Sequence, residues 1–421
     1  MILSNISTPL LGLVDTAVLG HLDSEQFLAA VALGGVIFSF IFWGFGFLRM
    51  GTTGLTAQAY GEDDRGEINA VLFRAGILAL FISCLLLLLH REIADISFSL
   101  MQSSRIVEQY AMQYFETRVL SAPATLSSYV LMGWFLGQQN VKVPLLVVLI
   151  SNIINICLDL WFVYHLKMQV EGVALATVIA EYIGLAVGLL IALRRANKNK
   201  QFWHWSSLVN LGKFKAMLLI NSHIFVRTWC LIFAFAFFTA QAAKMGAVVL
   251  AANTILMNFQ TFMAYALDGF AHAAEALVGK AVGAKNKLML RQAILTAGLW
   301  SFIIAILFSA VYFYFGRDII DLLTSLESIR AMAYSYLPWL IIMPLVSFVC
   351  YLMDGVFIGA MLTKQMRNTM LFCLFCVFLP VWYHSQSLGN MGLWLAMSLF
   401  MLARSLSMLI VVKNKISVEK V

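Results

Sequence analysis

Residues 143–164 read VPLLVVLISNIINICLDLWFVY, twenty-two positions with one charge, Asp159, set among aliphatic and aromatic side chains. A run of that length, rising about 1.5 Å per residue as a helix, crosses the roughly 30 Å of a bilayer's hydrocarbon core. It is continuously apolar rather than alternating, which argues against a strand of a closed barrel, and lipid leaves no other way to satisfy the backbone. Runs of the same kind fill the chain, at about 2–20, 27–60, 68–89, 107–137, 143–164, 172–193, 213–241, 247–280, 288–314, 329–359, 367–383 and 391–412. The composition agrees: 62% of the 421 residues are hydrophobic and 12% charged, against roughly a quarter charged in soluble domains. The expected fold is an all-α integral membrane protein of about twelve transmembrane helices, several long enough to protrude, tilt or break at Gly and Pro.

The opening run contains Pro9 and Asp15 and lacks both a basic leader and a small-residue cleavage site, so it reads as the first helix and not as a signal peptide. The six cysteines fall inside apolar spans, with no metal-type spacing beyond the pair Cys373 and Cys376, so no disulfide framework, metal or cofactor is implied. The net charge of +7 resides in short loops, which argues for topology and against a nucleic-acid partner. Arg194, Arg195, Lys198, Lys200, Lys213 and Lys215 follow the sixth span. Lys280, Lys285, Lys287 and Arg291 follow the eighth, Lys364 and Arg367 the tenth, and Lys413 and Lys415 the twelfth. All fall on one side if both termini are cytoplasmic. The acidic loop Gly61–Glu67 is a weak exception.

Offsetting the chain by 222 residues reveals a repeat. Leu28-Ala29-Ala30 falls on Leu250-Ala251-Ala252, Gly61 on Gly283 and Ala75-Gly76 on Ala297-Gly298, while Tyr129, Gly133, Phe135 and Gly137 fall on Tyr351, Gly355, Phe357 and Gly359. Six spans repeat as six, which preserves direction across the membrane and implies two pseudo-symmetric six-helix bundles about an axis along the membrane normal. The expected division is 1–193, a basic cytoplasmic linker at 194–212, and 213–421, with the substrate path between bundles.

An ionisable group near the centre of a membrane helix costs at least about 2.5 kcal/mol, so each one is a functional candidate unless a partner neutralises it. Asp15 lies six residues after Pro9, whose missing hydrogen bond lets the helix bend. In span five, Asn152, Asn155 and Asp159 share one helical face. Burial favours the protonated form of a carboxyl group and a neighbouring carboxylate favours it further, so Asp15 and Asp159, when close, form a proton-binding pair. The repeat places Phe237 opposite Asp15, and Val377 and Val381 opposite Asn155 and Asp159, which makes the polar cluster a specialisation of the first half. The competing reading is that Asp15 and Asp159 pair with Arg49 or Arg74 to hold helices together. In the second half Asp268, Glu275 and Asp354 either line a cavity that attracts cations or pair with Arg227 and Arg404. The 21 Met and 32 Phe offer soft and aromatic contacts to flat amphipathic guests. Walker, nucleophile-elbow and HExxH patterns are missing, so the energy source is an ion gradient and the chain is not read as an enzyme.

LLGLVDTAVLGHL at 10–22, FLRMGTTGLTAQAYG at 47–61, DGFAHAAEALVG at 268–279 and DGVFIGA at 354–360 resemble the multidrug and toxic compound extrusion (MATE) family, in particular its bacterial DinF-like branch. The resemblance covers essentially the whole chain. It implies a V-shaped pair of six-helix bundles in the bacterial cytoplasmic membrane, and export of amphipathic or cationic organic compounds in exchange for protons or sodium ions. It also implies a coupling site at Asp15, Asn155, Asp159 and Thr177. Polar residues on the family's fourth helix correspond here only to Ser127 and Ser128. Sodium-coupled relatives carry an acid on helix seven, where this chain has none, so the proton is the favoured coupling ion. The expected protein is a monomeric drug/proton antiporter. A sodium-coupled exporter, a lipid-linked precursor flippase and a membrane-embedded lipid-linked transferase are the alternatives.

Overall fold

The computed structural model describes residues 25–101, 104–197 and 208–415. Among them, eleven helices are long and apolar enough to cross a membrane: α1 (Gln26–Gly61), α2 (Arg65–Leu88), α3 (Arg105–Gly137), α4 (Lys142–His165), α5 (Val170–Ala196), α6 (Leu211–Lys244), α7 (Ala247–Gly283), α8 (Lys287–Leu323), α9 (Glu327–Gly359), α10 (Thr363–Leu388) and α11 (Asn390–Asn414). They match the second to twelfth expected spans. The expected first span lies outside the described residues. A short helix, His90–Met101, follows α2 and was not expected from the apolar runs.

The long helices are interrupted where their sequences weaken the backbone ladder. α1 breaks at Phe45-Gly46, between helical segments Glu25–Gly44 and Phe47–Gly61. α3 tightens to a 3-10 turn at Val119–Ser121, just ahead of Pro123, which cannot donate to the preceding turn. α4 ends in a widened turn at Trp161–His165, where Leu166 N–H reaches back five residues to the Trp161 carbonyl, and α10 widens at Cys373–Phe378. By contrast, α9 passes through Pro338 and Pro344 without ending.

The chain divides into two compact units between Met217 and Leu218. Inside each, the backbone repeats the same devices at the same 222-residue offset. Asp64 caps α2 by accepting from Glu67 N–H (2.9 Å), and Asn286 caps α8 by accepting from Met289 N–H (2.9 Å). Asp63 (φ 55°) and Gln139 (φ 61°) turn left-handed in the first unit, and Lys285 (φ 51°) and Met361 (φ 56°) do so in the second. A Cβ added at Gly133 would fall 2.5 Å from the Arg49 carbonyl oxygen, and one at Gly137 2.7 Å from that of Thr53. Gly355 meets the Ala271 carbonyl and Gly359 that of Glu275 in the same way. Helix α3 therefore lies against α1, and α9 against α7, backbone to backbone, which only glycine permits.

Side chains complete the first unit's core around Trp134 and Phe135, with Ala59, Ile68, Leu131 and Ala192. Trp134 spends its indole N–H on the Ile68 carbonyl (2.9 Å). In the second unit Trp394 donates to Asn253 Oδ1 (3.0 Å), itself paired with Asn390. Each buried indole thus keeps its one donor satisfied.

Candidate functional site

The first unit holds a closed polar cluster. Asn155 and Asp159 project from one face of α4, and Thr177 meets them from α5. All three are buried, at 1%, 0% and 4% exposure. One orientation of the Asn155 amide satisfies its surroundings: Nδ2 donates to Asp159 Oδ2 (3.1 Å), while Oδ1 accepts from Thr177 Oγ1 (3.1 Å) and from the Thr177 N–H (3.2 Å). The opposite orientation would set the amide nitrogen against the Thr177 N–H and the amide oxygen against the carboxylate. The amide thereby presents a donor to the Asp159 carboxyl.

Asp15 and Pro9 lie outside the described residues. Of the arginines weighed as structural partners, Arg74 is committed to Glu67, with its Nε donating to the Ala70 carbonyl (3.1 Å). Glu67 also takes Lys213 Nζ at 2.7 Å. Glu67, in the first turn of α2, thereby ties the starts of α2 and α6 together.

Asn152 and Ser127 are half-buried. Ser128 lines a small pocket of Leu131, Met132, Phe135, Pro144, Val147, Gly184 and Gly188, formed by α3, α4 and α5. In the second unit, Asp354 receives Arg404 Nη2 on Oδ2 (3.0 Å) and Arg227 Nη2 on the same oxygen. Asp354 is therefore doubly neutralised where it stands. Asp268 is half-buried within electrostatic reach of Tyr265 and Tyr351, and Glu275 is buried on α7, its carbonyl against Gly359.

Two ion pairings escaped the sequence reading, although Arg74 and Glu181 each stand out as ionisable residues within apolar spans. Glu67 and Arg74 sit seven residues apart, two turns along one face, a spacing that could have been noticed. Arg118 and Glu181, joined at 2.8 Å, are 63 residues apart, and no local pattern announces them.

Comparison with known proteins places these features in context. The family model MatE matches residues 1–161 and 224–383. The chain is 44% identical over 413 residues to DNA damage-inducible protein F of Escherichia coli (strain K12), covering 97% of this chain and 89% of that one. It is 23% identical over 415 residues to the probable multidrug resistance protein NorM of Pasteurella multocida, covering 94% and 88%. Its fold matches a MOP superfamily transporter from Pyrococcus furiosus with a TM-score of 0.86 at 21% identity, over 98% of this chain and 94% of that one.

Proposed function

The chain belongs to the MatE family of multidrug and toxic compound extrusion transporters, and from that premise we propose that it is a secondary active exporter exchanging protons for amphipathic or cationic organic compounds. Membership makes it a transporter, and its apolar helices make it a multi-pass membrane protein. Proton coupling is the further step, and the burial of Asp159 beside Asn155 and Thr177 supports it, because it sets a titratable carboxyl inside a hydrogen-bonded shell. An ionisable group that gains and loses charge inside a buried, hydrogen-bonded shell can favour a different conformation in each state, which is the requirement for coupling.

In this reading Asp15 and Asp159 take up a proton from outside, Asn155 and Thr177 re-pair, the first helix bends near Pro9, and the bound compound is displaced. Ser127, Ser128, Asn152, Asp268, Glu275 and Asp354 are proposed to border the substrate path. The lysines and arginines at the starts of α6, α8 and α10 and the end of α11 favour a cytoplasmic placement of both termini in a bacterial inner membrane.

Purified protein in vesicles, given an organic cation with pH and sodium gradients imposed separately, tests the reading. Substrate efflux should follow the proton gradient and should fall at least about fivefold in Asp15→Asn and Asp159→Asn. Efflux that follows sodium at constant pH, or that both variants retain in full, would overturn proton coupling.

A further inference from the structure

Arg118 on α3 occupies a slot with the chemistry of an organic-cation site. Its guanidinium carbon lies 5.5 Å from the ring centre of Phe38 and 5.4 Å from that of Phe42, both on α1. Those rings stack on each other, with centroids 5.5 Å apart and planes at 27°, and Phe38 stacks in turn on Phe115 at 4.9 Å. The charge is met by Glu181 of α5, whose Oε1 accepts from Nη2 at 2.8 Å. Ser121 Oγ accepts from Nη1, and Thr125 donates to the second carboxylate oxygen. Aromatic faces and a carboxylate together bind a flat, delocalised cation through ring attraction and charge-assisted hydrogen bonds. The slot is not sealed: the Arg118 and Glu181 side chains are 11% and 22% exposed. Glu181 also lies one helical turn from Thr177, about 6 Å along α5.

We propose that this slot is a binding site for the head group of an organic guanidinium or similarly flat cation, and that Arg118 is its resident occupant, which an incoming compound displaces. The proposal rests on the exporter reading for its substrate class. A guanidinium released from Glu181 by a competing cation would couple occupancy of the slot to the α3–α5 contact, one turn from the Asn155–Asp159–Thr177 cluster.

Equilibrium binding of benzylguanidinium to the purified full chain tests it. Arg118→Met keeps the length and packing of the side chain while emptying the charge position. If the resident arginine leaves the slot open about a tenth of the time, its removal should tighten binding about tenfold. The gain should vanish in Arg118→Met/Glu181→Gln. Arg118→Lys, which keeps the charge but loses the planar stack, should fall between wild type and Arg118→Met and guards against a misfolded methionine variant. Equal affinity in wild type, Arg118→Lys and Arg118→Met, or a gain that survives Glu181→Gln, overturns the proposal. Vesicle efflux by wild type separates the two ideas. Lost efflux with the binding pattern intact removes the exporter reading and keeps the slot, and normal efflux with unchanged binding in every variant removes the slot alone.

Discussion

The two units share a backbone and differ in what they bury. At a constant offset, Asp63 and Lys285, Gln139 and Met361, Asp64 and Asn286, and Gly133 and Gly355 perform the same structural tasks. Yet Asn155, Asp159 and Thr177 face Val377, Val381 and Leu399 at that offset, while Asp354 and Arg404 face Met132 and Tyr182. Turn conformations, caps and glycine seams hold each unit together, so both copies keep them. Buried charge is expensive in lipid and persists only where something uses or neutralises it. The first unit keeps a carboxyl hydrogen-bonded by a neutral amide, and the second keeps one between two permanent cations.

The contrast breaks most sharply at Asp354. Asp354→Leu leaves Arg227 and Arg404 buried without their shared anion, and unfolding of the purified protein in detergent should show a loss of about 3–5 kcal/mol, with most of it recovered in Arg227→Met/Asp354→Leu/Arg404→Met. Little recovery in the triple variant would mean that the second unit needs its charges for more than mutual neutralisation.

Next comes the exchange of a first-unit acid into the second. Val381→Asp puts a carboxyl where α10 provides no amide partner at the Asn155 equivalent, Val377. Its expected cost is about 2.5–3.5 kcal/mol in the same unfolding measurement. A cost near zero would erase the asymmetry between units.

Asp159→Asn should leave stability nearly unchanged while lowering proton-driven efflux about 5- to 150-fold, the range of a coupling free energy of about 1–3 kcal/mol. Val381→Asn, its counterpart in the second unit, should leave coupling intact. The smallest effect is expected at Lys213, half exposed and bridging to Glu67. Lys213→Ala should cost about 0.2–1 kcal/mol, less at high salt, because Arg74 still holds the carboxylate.

Apolar run length alone placed eleven helices, most ends within about five residues, because lipid enforces helical spans of a minimum length. Helix α8 runs on to Leu323, past the expected end at 314, through the charged residues Arg317, Asp318 and Asp321 that lower the apolar signal. The repeat was visible through residues whose task is backbone geometry, Gly133 and Gly137 against Gly355 and Gly359. Asn155 and Asp159 were legible as neighbours because four residues make one helical turn, whereas Thr177 came only from family resemblance, since α5 contributes it from another helix. The Arg118–Glu181 pair and the double capping of Asp354 depend on contacts across 50 to 127 residues of chain. No periodicity within a span encodes those meetings. The helix His90–Met101 was missed for a different reason: its mixed polarity falls below the signal of a membrane span.

The glycine seams also decide what can serve as a frame of reference. With no side chain between them, α1 and α3, like α7 and α9, cannot slide or rotate past one another without backbone collision. Each pair is therefore a fiducial rod within its own unit. Spectroscopic labels anchored there would track a unit as a body, while labels on α4 and α5 would register rearrangement inside it.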